Sequence, residues 1–199
     1  MKYKALKFII ENNKGNYNAY HNFEHLLTVN EHTIKICKIE IPNFEQDENL
    51  KLIMELASLF HDFNHTGVKG DDQININLAI KGFTEFYKLN ENDILIEQKD
   101  EIIRLIQFTK FPHIEVLNDQ LINIIRDADM CSTLNDNSIF TTVFGLAKEF
   151  NIDIKQQLKN QIVFVSNLKF NTNYCNHIWN NIFNNKLREL KRLDNKLSI

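Results

Sequence analysis

Along most of this chain apolar residues recur at three- and four-residue intervals, the spacing that gathers them on one face of an α-helix. The pattern predicts helices over 2–11, 22–40, 48–65, 72–89, 93–109, 115–127, 137–150, 154–170 and 174–195. Between Leu50 and Phe60 the apolar positions cover nearly every side, so this helix belongs in the core, with His61-Asp62 delivered at its C-terminal end. A polar pair emerging from an apolar sleeve must be satisfied, and a metal ion is one way to do so. Asp47 and Asp72 stand where a carboxylate would accept from the free N–H groups of a first helical turn. No repeat or low-complexity linker interrupts the pattern. The expectation is an all-α fold, a compact multi-helix domain spanning residues 1–199.

Composition supports this. With 199 residues, 43% of them apolar, the chain can bury a sizeable core. Only 5 Gly and 2 Pro leave little material for β-turns. A formal net charge of -3 provides no basic field for nucleic acid. No apolar run reaches the ~18 residues a membrane span needs, and the apolar start at Leu6–Ile10 is too short for a signal peptide. Cys37, Cys131 and Cys175 are odd in number, scattered, and contain no Cys-x-x-Cys pair, which argues against a disulfide framework and a cysteine zinc site. A soluble cytoplasmic protein is expected.

Candidate chemistry lies in four short stretches, Tyr20-His21-Asn22-Phe23-Glu24-His25, His61-Asp62-Phe63-Asn64-His65, Thr109-Lys110-Phe111-Pro112-His113 and Asp127-Ala128-Asp129. They hold five of the seven histidines; His32 and His177 are read as ordinary helix residues. His21 and His25 share a helix face, as do His61 and His65, because both pairs are four apart. Imidazole and carboxylate together suit zinc, iron, manganese or magnesium. Such ions make a nucleophile of water near neutral pH and clamp both ends of a displacement at phosphorus. A histidine outside the metal set could then protonate the departing alkoxide. Asp127 and Asp129 remain alternative or joint carboxylate ligands.

These residues resemble the HD-domain metallophosphohydrolases, above all the catalytic domain of the class I 3′,5′-cyclic-nucleotide phosphodiesterases. Tyr20-His21-Asn22-x-x-His25 resembles that family's opening Tyr-His-Asn-x-x-His. His61-Asp62-Phe63-Asn64-His65-Thr66-Gly67 resembles its His-Asp-x-Asp-His-Pro-Gly, and Ala128-Asp129-Met130 its Ala-Asp-Leu. Ile106-Gln107-Phe108-Thr109 with His113 resembles its Ala-Thr-Asp-Met-Ser-Lys-His, and Asn160-Gln161-Ile162-Val163-Phe164-Val165 its Ser-Gln-Val-Gly-Phe-Ile. The family's Glu-Asn-His-His segment has no counterpart between Ala79 and Ile103.

The resemblance implies two divalent ions, zinc plus magnesium or manganese, with iron also compatible. His25, His61, Asp62 and Asp129 would hold the first, and Asp62 would bridge to the second. It implies attack by a bridging hydroxide, with His21 as general acid and His65 orienting the water. Gln161 would bind a base edge and Phe164 its face, with His113 beside the substrate. The implied activity is hydrolysis of a 3′,5′-cyclic nucleotide, cAMP or cGMP, to the 5′-monophosphate. The alternatives are an HD-type nucleotide phosphomonoesterase or cyclic-dinucleotide hydrolase, and a catalytically inactive nucleotide-binding or effector domain.

Overall fold

The computed structural model describes residues 1–113, 117–135 and 138–197. Among them there are helices and no strand. In chain order α1 is Lys2–Asn12, α2 Phe23–Glu40, α3 Glu48–Phe60, α4 Gln73–Leu89, α5 Ile96–Gln107 and α6 Gln120–Met130. A π-helical turn, Phe140–Gly145, leads into the short α7, Leu146–Glu149, followed by α8, Ile154–Asn167, and α9, Asn173–Leu197. The all-α expectation is met. No helix of the described residues is long and apolar enough to cross a membrane.

Helix α3 is central. It packs against α1, α2, α4, α5 and α6, and its residues Leu56, Ala57, Leu59 and Phe60 are wholly buried. Asp47 caps it as expected, accepting from the Leu50 N–H at 2.9 Å. At its far end Phe60 and Phe63 join Phe8, Phe83 and Phe86 in a cluster with ring centroids 5.2–6.1 Å apart. This aromatic plug fixes the point where the chain leaves the core just before and after His61-Asp62.

The helix ends at Phe60, five residues short of the predicted 65. Asn64 turns left-handed at φ 61°, a conformation asparagine tolerates. Its N–H donates to Asn13 Oδ1 and its own Oδ1 accepts from the Lys14 N–H, each at 2.7 Å. Those bonds replace the helical ones and redirect His65. Asp72 corrects a second expectation. It stands at the start of α4 without capping it; its carboxylate instead accepts from the Phe111 N–H at 2.7 Å and Asn75 Nδ2 at 3.2 Å. The sixth helix runs three residues past the predicted 127, capped by Asp119 at Leu121 and Ile122.

Helices α2 and α3 are tied together by buried polar contacts. Asn30 Nδ2 donates to Ser58 Oγ at 2.9 Å and to the Glu55 carbonyl at 3.2 Å. This pins their register and brings the N-terminal turn of α2 beside the end of α3. All three cysteines are free thiols, although Cys131 and Cys175 lie with sulfurs 3.6 Å apart.

Candidate metal centre

Four side chains from three helix ends converge. His25 lies in the first turn of α2, where Asn22 caps its backbone N–H at 3.2 Å. His61 and Asp62 leave α3, and Asp129 occupies the last turn of α6. One ligand atom from each falls within 4.8 Å of all the others. His25 Nε2 is 3.3 Å from Asp62 Oδ2 and 3.3 Å from Asp129 Oδ1; for His61 Nε2 the distances are 3.3 and 3.5 Å. Donors bonded tetrahedrally at about 2.0–2.1 Å stand about 3.4 Å from one another, so the spacing fits one shared ion.

Burial and tautomer agree with that fit. His61 Nδ1–H donates to the Ser58 carbonyl at 2.7 Å, which leaves the Nε2 lone pair aimed at the cluster. An imidazole locked from behind by a carbonyl is the usual state of a metal-binding histidine. Nε2 of His25 and of His61 are both buried without a hydrogen-bond partner, a costly state unless something fills it. Burial lowers the pKa of both rings, but the carboxylates of Asp62 and Asp129 outweigh it and raise both. Those carboxyls are held below the carboxylate range, because the two imidazoles overcome the opposing effect of burial. The pocket therefore attracts positive charge, and a divalent cation would supply it.

Asp127 is not part of this cluster. Its carboxylate accepts from the Asn171 and Thr172 N–H groups and from Asn171 Nδ2, at 2.7–3.0 Å. It ties α6 to the start of α9. Two residues apart on a helix, Asp127 and Asp129 point to nearly opposite sides, and only Asp129 faces the histidines.

His21 and His65 stack beside the cluster with ring centroids 3.8 Å apart. His21 Nδ1 lies 2.5 Å from Glu149 Oε1, while Glu149 Oε2 accepts from the Tyr20 and His21 N–H groups at 2.7 and 2.9 Å. Burial would raise the Glu149 carboxyl, but these bonds and the adjacent imidazole hold it below its ordinary value. His65 Nδ1 accepts from the Gly67 N–H at 3.1 Å. Burial, its leading influence, lowers His65. These two histidines and Glu149 lie close enough to bind an ion, yet their inner atoms are already spent on hydrogen bonds. They make a better proton-handling group than a second cation cage. Tyr20 packs on both His21 and His25, centroids 4.8 and 5.0 Å away, and its hydroxyl bonds Ser132 Oγ at 2.9 Å.

Glu149 was not among the sequence candidates. It comes from the stretch expected to be one plain helix, 137–150, where the π-helical turn shifts the side-chain register before α7.

A cavity of about 380 Å³ opens onto the cluster. Asp62 and Asp129, with side chains 14% and 16% exposed, face it, whereas His25 and His61 at 5% and 1% are sealed. Gln161 and Phe164 line it from α8, on the same face. Gln161 is buried, and its amide makes no hydrogen bond among the described residues. Phe111 lies 6.0 Å from Phe164 with the ring planes 58° apart, forming a corner rather than a sandwich. His113 corrects an expectation. Phe111 and Pro112 line the cavity in its stead, since Asp72 fixes the Phe111 N–H and the Phe111 ring takes the wall position. The His113 ring packs edge-on to Phe111 at 5.6 Å.

No protein-family model matches the chain, and neither a curated protein nor a solved structure does.

Proposed function

We propose that this chain is a metal-dependent phosphodiesterase that hydrolyses a 3′,5′-cyclic mononucleotide to its 5′-monophosphate. The observation that carries the reading is the meeting of His25, His61, Asp62 and Asp129, with two buried unpartnered Nε2 atoms, at the floor of a cavity bearing Gln161 and Phe164. His25, His61, Asp62 and Asp129 would hold one divalent ion, and the open edge of Asp62 would share a second. When bound, such ions polarise the phosphoryl group and make water a usable nucleophile near neutral pH.

The remaining work falls to the chain's own side chains. Glu149 grips Nδ1–H of His21 and fixes the ring, so that Nε2 is the position from which a proton can pass to the leaving O3′. His65, with Nδ1 occupied by the Gly67 N–H, carries its neutral-form proton on Nε2. It can therefore donate a hydrogen bond to water or a phosphoryl oxygen. The Gln161 amide can donate to and accept from a base edge, and the Phe164 ring offers a planar face. A volume of about 380 Å³ is at the small end for ligand pockets, which favours one nucleoside over two.

The test is a substrate panel with manganese or magnesium, containing cyclic mononucleotides, a cyclic dinucleotide, nucleoside monophosphates and an aryl phosphodiester. Turnover of cyclic mononucleotides to 5′-monophosphates is expected, and Gln161→Ala should raise their KM while sparing the aryl ester. Activity confined to monoesters overturns the reading, and equal damage to both diesters makes Gln161 structural.

A further inference from the structure

We infer that Lys69, a lining residue of the same cavity, is a specificity-determining residue which recognises the phosphate of a nucleoside phosphate. This rests on the nucleotide reading above and adds the residue that selects for charge. Among the described residues the cavity is lined by Asp62, Asp72 and Asp129 and by one lysine or arginine, Lys69. Among the described residues Lys69 forms no hydrogen bond or ion pair, and its neighbours are already committed. Asp71 pairs with Lys110 at 3.6 Å, and Asp72 is held by the Phe111 N–H and Asn75.

The segment bearing Lys69 is anchored on both sides. Thr66 donates to Asn75 Oδ1 from its N–H at 3.1 Å and its hydroxyl at 3.0 Å, while Asp72 closes the other end. Between them, a Cβ at Gly70 would meet nothing within 4 Å, so the backbone there has room. A lysine left unpaired beside a negatively lined cavity is a ready point charge for an anion. Phosphate answers it better than a neutral ligand, because charge-assisted hydrogen bonds are the stronger kind.

The test is calorimetric titration of the intact, metal-loaded protein with adenosine and guanosine 5′-monophosphates and with the two parent nucleosides, at low and high salt. Lys69→Met is expected to weaken the monophosphates by about 5–10-fold, as one charged contact at a partly solvated site would. It should leave the nucleosides unchanged and flatten the salt dependence. Lys69→Arg should bind like wild type. So should Lys81→Met, which removes the same charge from an exposed position on α4 outside the cavity. Equal monophosphate affinity in Lys69→Met and wild type overturns the role of Lys69 alone. An equal loss for nucleosides makes it a structural effect of the loop. A wild type that binds no monophosphate overturns the nucleotide reading and Lys69 together.

Discussion

Gly82 tests how the aromatic plug positions His61 and Asp62, two of the candidate metal ligands. It sits inside α4, where Gly→Ala ordinarily gains about 1 kcal/mol of helix propensity. Here a Cβ would run into the Phe63 ring, 3.0 Å from Cγ and nearer still to Cδ1 and Cε1. Phe63 cannot retreat easily, since it is 1% exposed and packed against Phe8 and Phe60 at centroid distances of 5.7 and 5.5 Å. Overpacking of this kind costs about 1–3 kcal/mol, and more where nothing can yield. Because the buried Phe63 ring cannot yield, the cost falls at the upper end, and set against the helical gain Gly82→Ala should lose about 1–2 kcal/mol. For a chain of this length that lowers Tm by about 2–8 °C in thermal unfolding followed by circular dichroism. Phe63 directly follows Asp62, so the variant should also bind metal more weakly. Gly82→Ala combined with Phe63→Leu should recover part of the stability, because the smaller side chain vacates the clash. Gly70→Ala, in open space, should leave Tm unchanged or slightly higher. If Gly82→Ala melts at or above wild type, the plug is not packed as described.

Four further variants probe named residues of the site and the fold. His61→Ala should abolish tight metal binding in equilibrium dialysis, whereas His21→Ala should retain the ion and slow turnover by about 10²–10⁴-fold; loss of metal from the latter would show that its role is misassigned. Glu149→Gln should keep metal and KM while lowering kcat, because the carboxylate that orients His21 is gone; an unchanged kcat would reduce Glu149 to a packing residue. Asp119 caps α6 and pairs with Arg104 at 2.8 Å. Burial raises its carboxyl, but the capped N–H groups and Arg104 outweigh this and lower it. A depressed folded pKa stabilises above the unfolded value near 3.9 and is lost as pH falls through the folded one. Asp119→Ala should therefore cost about 1 kcal/mol at pH 7, with the gap from wild type closing below about pH 4. A gap constant with pH would contradict this.

Helical periodicity made the fold readable, because each amphipathic stretch buries one face and α3 from Leu56 to Phe60 is buried on every side. The clustering of His25, His61, Asp62 and Asp129 was readable for a related reason: each sits at or near the end of an apolar run, which forces its side chain to the edge of the core. What escaped depends on contacts distant in sequence. Glu149 reaches His21 across 128 residues, and no local motif surrounds it. The left-handed Asn64 stopped α3 early because Asn13 and Lys14 offered it better bonds than the helix did. Asp127 and Asp129 could have been separated by helical geometry alone, since residues two apart cannot share a face. His113 looked equivalent to other motif residues until Asp72 fixed Phe111 in the cavity wall.

The convergence of imidazole and carboxylate on one cation is tested most directly by anomalous diffraction from crystals grown with manganese or zinc. The expected map has a peak about 2.0–2.2 Å from Nε2 of His25 and His61 and from carboxylate oxygens of Asp62 and Asp129. A metal-saturated crystal with no peak among those four side chains, or with its ions bound elsewhere, would contradict it.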